Sequence, residues 1–188
     1  LKPVRPFLDG DGLWGSQWNL NIIWSLLYPE YGNWMAETFL DYYRNAGTVS
    51  RCSWGGNYSY VMVGDHTVPL LAALISTGRA DFDPRLAYEG ARKNAFPGGI
   101  RDRAGYEAST NPSGGGIDWY VSLVYVPVEI AGRGDGFHRG GTSMTLEYAY
   151  QDWCISAMAE LLGKDEDAEL FLKRSENWRN VFDPVAGW

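Results

Sequence analysis

Residues 142–164 read TSMTLEYAYQDWCISAMAELLGK. Leu146, Ala149, Tyr150, Trp153, Ala157 and Leu161 recur at helical spacing, which predicts one long helix with that stripe turned to a core. Thr142 and Ser143, following Gly140 and Gly141, are candidate caps, and Gly163 is the natural stop. Glu147 lies off the stripe, in the expected first turn, beside Tyr148 and Tyr150. Two readings compete for it. An acidic side chain is favoured near a helix N-terminus by the helix dipole, and a carboxyl at the head of an aromatic helix behind a glycine-rich loop is also a candidate catalytic acid.

Upstream of this stretch the pattern is again helical. Residues 1–15, LKPVRPFLDGDGLWG, have the glycines and prolines of a loop. Asp9 and Asp11 resemble the start of a calcium loop, but Leu13 stands where the next oxygen ligand is required, so an Asp-Gly turn is the simpler reading. A helix is expected from Ser16 to Tyr28, with Leu20, Ile23, Trp24 and Leu27 facing inward and Pro29 closing it. A second runs from Trp34 to Asn45, ending at Gly47. Residues 50–63 read as irregular or short extended structure.

Gly64-Asp65-His66 then precedes an apolar helix over Val68–Ser76, with Asp65 in an N-cap position. His66 is one of two histidines and has no Cys or His at zinc-ligand spacing, so a structural role competes with a catalytic one. Asp83 and Pro84 start a further helix to Ala95. A long loop over 97–118 leads to Trp119–Ile130, whose β-branched and aromatic residues predict a short strand. After a second glycine-rich loop, 132–141, comes the opening helix, and Asp165–Val181 is its antiparallel partner. Paired helices joined by long loops predict a mainly α fold built as a helical toroid or barrel.

Composition narrows the function. The 188 residues include 9 Trp, 12 Tyr and 7 Phe, against 16 Lys plus Arg. Aromatic faces together with acidic side chains suit sugar rings, although a large helical core also consumes aromatics. The net charge of −7 and the lack of a basic run argue against nucleic-acid binding. No apolar stretch approaches a membrane span. Cys52 and Cys154 either pair or remain as buried thiols. The chain opens at Leu1 without Met and stops within a Phe-Asp-Pro turn, so further sequence on both sides is expected.

Several phrases together resemble one family: LWGSQW at 13–18, GDHTVP at 64–69, YVP at 125–127, TLEYAYQDWCISAMAELLGK at 145–164 and FLKRSENWRNVFDPVAGW at 171–188. They resemble the calcium-dependent, exo-acting α-mannosidases of glycoside hydrolase family 92, over nearly the whole chain. The resemblance implies that residues 1–188 are the N-terminal half of an (α/α)6 catalytic barrel, with the remainder and a β-sandwich domain lying outside them. It also implies an inverting hydrolase that removes terminal α-linked mannose from glycans, using one carboxylic acid and a second carboxylate that activates water.

By the same resemblance Glu147 is the general acid, and Trp14, Asp11, Asp65 and His66 are substrate-binding. Trp14 is a stacking platform, and Asp11 or Asp9 compensates for Gly15, which stands where the family usually carries aspartate. The family's base and calcium ligands belong to a later Gly-Asn-Asp-Asp phrase and other later residues, so no metal ligand is expected here. An extracellular, periplasmic or cell-surface location follows from glycan substrates. Two other functions remain open. One is a non-catalytic carbohydrate-binding or truncated relic. The other is a different toroidal sugar enzyme, such as a glycosidase of different linkage or a phosphorylase, the latter needing Arg133 and Arg139 to bind phosphate.

Overall fold

The computed structural model describes residues 5–10, 12–54, 57–59, 63–103, 115–128 and 140–187. Seven α-helices appear among them: α1 (Leu20–Leu27), α2 (Pro29–Ala46), α3 (Thr67–Ser76), α4 (Pro84–Asn94), α5 (Ile117–Leu123), α6 (Gly141–Leu161) and α7 (Asp165–Ser175). Short 3-10 turns cover Leu13–Trp18, Ile100–Asp102 and Glu176–Val181. The strands described are a single antiparallel pair, β1 (Cys52–Trp54) and β2 (Asn57–Ser59). The mainly helical expectation holds.

Local signals place most boundaries. Pro29 follows the end of α1, whose C-cap is Tyr28, as expected, and it also opens α2 at its first turn, where a missing N–H costs nothing. Gly47, at φ +83°, ends α2 in the left-handed conformation. Asp83 caps α4 by accepting from the Arg85 backbone N–H at 2.9 Å. The expected strand over Trp119–Ile130 is corrected to the helix α5, bounded by left-handed Gly116 and Val124. Short-range β propensity yields here to packing: Ile117 and Tyr120 close a small core with Val126, Met144 and Tyr148. Residues 104–114 and 129–139, with Arg133 and Arg139, lie outside the described residues.

The main core gathers α2, α3, α4, α6 and α7. Leu70, Leu71 and Leu74 of α3 are fully buried, each worth about 2 kcal/mol relative to exposure. Helix α6 turns at Leu162–Lys164 and α7 folds back along it, with Ser156 Oγ donating to the Ala168 carbonyl at 2.7 Å. Cys52 and Cys154 are both buried, as thiols rather than as a disulfide.

Two inward faces differ from the sequence expectation. On α6 the buried stripe is Met144, Thr145, Tyr148, Gln151, Asp152, Ile155, Met158 and Ala159. Of the predicted stripe Ala149 is buried, but Leu146 and Tyr150 are exposed, and Trp153 and Leu161 remain 54% and 59% exposed. On α1, Leu20, Ile23 and Leu27 point outward while Asn21 and Ser25 are buried. The reason on α1 is close approach. A Cβ on Gly32 of α2 would lie 3.2 Å from Leu74 Cδ2 and 3.4 Å from Trp24 Cβ, so only small side chains suit that seam. Ser25 satisfies its hydroxyl locally on the Ile22 carbonyl at 3.0 Å.

The reason on α6 is charge pairing. Asp152 is fully buried and accepts from Arg101 Nη1 at 2.7 Å, Arg174 Nε at 2.8 Å and Tyr120 Oη at 3.1 Å. Arg174 also donates to the Ala95 carbonyl at 3.0 Å and lies 5.0–5.3 Å from the ring centres of Phe96, Phe171 and Tyr120. One carboxylate thus joins α4's C-terminal end, the 3-10 turn at 100–102, α5, α6 and α7. Removing it would leave two buried guanidinium groups uncompensated. Asp152→Ala is expected to cost about 3–5 kcal/mol, read as a lowered urea midpoint of the full-length protein.

Candidate active site

Glu147 sits on α6 seven residues into the helix, because α6 begins at Gly141 rather than at a Thr142 or Ser143 cap. That position corrects the first-turn expectation. The dipole's influence falls off within the first turn, so it does little to hold Glu147 ionised. Burial acts the other way and raises the carboxyl above its ordinary value; the Gln17 hydrogen bond and the charges of Arg101 and Arg51 only partly oppose it. Of the side chain, 27% remains accessible.

Three elements surround the carboxyl. The 3-10 turn Leu13–Trp18 brings Gln17, whose Nε2 donates to Oε1 at 3.2 Å and Oε2 at 3.3 Å. One helical turn along α6, Gln151 Nε2 donates to Oε2 at 3.1 Å, and its Oε1 accepts from the Asp65 backbone N–H at 2.7 Å. The turn before α3 supplies His66, with Nδ1 3.7 Å from Oε2. Gly64 makes this approach possible. It adopts φ +88°, and a Cβ there would lie 2.6 Å from Gln151 Nε2 and 3.2 Å from Glu147 Oε2. Arg51, wholly buried, fixes the same turn by donating from Nε to the Gly64 carbonyl at 2.5 Å and from Nη2 to the Ile100 and Arg103 carbonyls at 3.1 and 2.6 Å.

The sequence candidates fare differently. Asp65 is not a side-chain cap: His66 holds the N-cap position of α3 and no side chain caps it. Asp65 is completely buried, with the Asn94 side chain beside its carboxyl. Burial pushes its pKa up to about 6, with Arg101 and Arg51 drawing it back. His66 is also buried, against the Val63 backbone and the Glu147 carboxyl. Burial and the Arg51 charge push it down to about 3, so the imidazole is neutral.

Trp14 is exposed and packs edge-on against Trp18 at 5.8 Å, on the same turn that carries Gln17. Asp11 lies outside the described residues. Asp9 accepts from Ser53 Oγ at 3.2 Å. Sequence reasoning missed Gln17, Arg51, Arg101 and Gln151. Only Gln151 had a local signal, four residues beyond Glu147 on one helix face.

No three His, Cys, Asp or Glu side chains converge as a metal site among the described residues. The buried Asp65 carboxyl feels the positive charges of Arg101 and Arg51, so the residues present do not fit a calcium ion. Gly64→Ala forces a side chain into left-handed backbone, costing about 1–2 kcal/mol, and displaces the Gln151 amide; thermal unfolding of the full-length protein reads the loss.

Asp65 and His66 impose opposite pH trends. The raised Asp65 carboxyl contributes its stability fully below the unfolded-chain value near 4 and loses it as pH rises through about 6. The depressed His66 contributes above about 6.5 and loses its contribution as pH falls toward about 3. Asp65→Asn is therefore expected to remove a fall in melting temperature between pH 4 and 6 while sparing the acid-side loss.

The chain as a whole is similar to several known proteins. A curated relative, an uncharacterised secreted glycosidase of Arthroderma benhamiae, is 27% identical over 164 residues, covering 86% of this chain and 20% of the relative. A solved GH92 α-mannosidase of Bacteroides thetaiotaomicron superposes with a TM-score of 0.76 at 27% identity, covering 96% of this chain and 22% of that one. A GH92 inverting mannosidase of the same organism gives a TM-score of 0.74 at 26% identity, covering 94% and 22%. The chain spans about a fifth of the length of these relatives, and its helices form part of an α/α toroid. With the glycosyl hydrolase family 92 catalytic-domain model matching residues 3–188, the chain belongs to glycosyl hydrolase family 92.

Proposed function

We propose that this chain is part of the catalytic domain of an inverting α-mannosidase that removes terminal α-linked mannose from glycans, with Glu147 as the general acid. The observation that carries the reading is the Glu147 carboxyl itself: mostly buried, raised above its ordinary value by that burial, and still reachable from outside. An acid that protonates a departing glycosidic oxygen must hold its proton near working pH. The neutral His66 beside it supports this, because an imidazolium at 3.7 Å would favour the carboxylate instead. Gln17 and Gln151 hold the carboxyl in place, and Trp14 is a stacking surface for a sugar face.

The remaining parts of the reading come from outside these residues. The base that activates water, and the calcium ligands, would be supplied by the rest of a longer chain, and so would the helices that cover the exposed apolar faces of α1 and α6. Leu27 of α1 and Leu161 of α6, 69% and 59% exposed, support that last point, as does the groove of about 300 Å³ lined by Leu146, Tyr150, Trp153 and Trp178. The secreted relative supports an extracellular, periplasmic or cell-surface site of action. No helix among the described residues is long and apolar enough to cross a membrane.

The test is Glu147→Gln in the full-length protein. Turnover of an α-mannoside with a poor leaving group is expected to fall by about a hundredfold or more, while the variant still binds mannose. An unchanged rate would remove Glu147 from the mechanism.

A further inference from the structure

Gln17 is joined to Glu147 across 130 positions of sequence. Its Nε2 lies within 3.3 Å of both carboxylate oxygens. Its own Oε1 is buried and has no hydrogen-bond partner among the described residues. An unpaired carbonyl oxygen beside a paired amide nitrogen is an unusual state for a buried carboxamide. The two ends of a carboxamide are nearly the same shape but opposite in function, one donating and the other accepting. Turned over about its last bond, Gln17 would aim the acceptor at Glu147.

We propose that Gln17 is the positioning residue for the Glu147 carboxyl. Its amide N–H donates to the carboxylate, and after a half-turn its carbonyl accepts from the protonated acid, so that one side chain holds Glu147 in both protonation states. The proposal rests on the reading of Glu147 as an acid that gives up and regains a proton in each turnover. Gln151 cannot replace this function. Its Oε1 is committed to the Asp65 backbone N–H, so its amide is locked as a donor and favours the ionised form alone.

The groups that act on Glu147 come from several elements. His66 faces it from the turn before α3 and is neutral. Arg51 precedes β1 and Arg101 lies in the 3-10 turn at 100–102; both favour the anion. Tyr150 lies close on α6 itself. His66 stands 3.7 Å away, beyond hydrogen-bond reach, Tyr150 is bonded to Cys154, and the arginines are held by their own partners: Arg51 by the Gly64 carbonyl and Arg101 by Asp152.

The experiment compares the full-length wild type with Gln17→Leu and Gln17→Glu. Two substrates are used: an α-linked mannobiose, whose departing hydroxyl needs protonation, and 2,4-dinitrophenyl α-mannoside, which leaves unaided. Gln17→Leu is expected to lower kcat on mannobiose by roughly ten- to a hundredfold and to spare the dinitrophenyl substrate. The basic limb of kcat against pH moves upward, because of the two bonds removed the one donated to the anion is charge-assisted and the stronger. Gln17→Glu keeps the shape, sets a second carboxyl against the first and moves that limb further up. A merely structural Gln17 would depress both substrates alike, or raise KM, and leave the limb unmoved. Any of these results would overturn the proposal.

Isotope-edited infrared titration of the Glu147 carboxyl, its band assigned by loss in Glu147→Gln, gives the same comparison without turnover. An unchanged midpoint in both Gln17 variants would overturn the proposal even if Glu147 is the acid. Full mannobiose turnover by Glu147→Gln would instead defeat the assignment of Glu147 as acid, and an upward midpoint shift in the Gln17 variants would still support the hold on its carboxyl.

Discussion

Asp152, a carboxylate with no exposed surface, decides how the helices of this chain meet. Left alone it would be among the costliest groups to bury. Arg101 and Arg174 grip its two oxygens and Tyr120 adds a third donor. Each arginine is in turn shielded by aromatic rings. Since the partners come from separate elements, satisfying the charge fixes the rotation of α6 about its axis, and that rotation orients everything else on the helix.

Glu147 is one such consequence. Five residues before Asp152, it lies beside the buried stripe and reaches the turn at 64–66 and the 3-10 turn at 13–18. Its environment is a contest between burial, which favours the protonated form, and amides and distant guanidinium charges, which favour the anion. Burial prevails because the helix terminus is nearly two turns away and the nearby imidazole is neutral. Gly64 underlies the contact. Only a residue without a side chain adopts its left-handed backbone cheaply while leaving space for the Gln151 amide.

The same rotation turns Leu146, Tyr150, Trp153 and Leu161 outward, and the close seam around Gly32 does likewise to Ile22, Leu26 and Leu27 of α1. Two helices therefore present apolar faces, on a chain that spans about a fifth of its relatives' length. Scattered apolar residues on a surface are ordinary, but grouped along two helices they mark surfaces built to be covered.

The sequence by itself determined the helical class, most of the helix positions, the caps at Asp83 and Gly47, and Glu147 as the residue to watch. These follow from local chemistry: apolar spacing, proline and glycine geometry, and the phrases shared with the family. Only the tertiary structure decided which side of α6 is core. The helix carries two stripes at helical spacing, and the one lacking Gln151 and Asp152 looked the more apolar; the true core stripe includes both because partners 22 to 86 residues distant pay for their burial. The same holds for Gln17 on Glu147, for the buried Asp65, and for α5 in place of a strand. Each is set by groups remote in sequence, and neither local propensity nor periodicity carries information about which remote charge or amide will arrive.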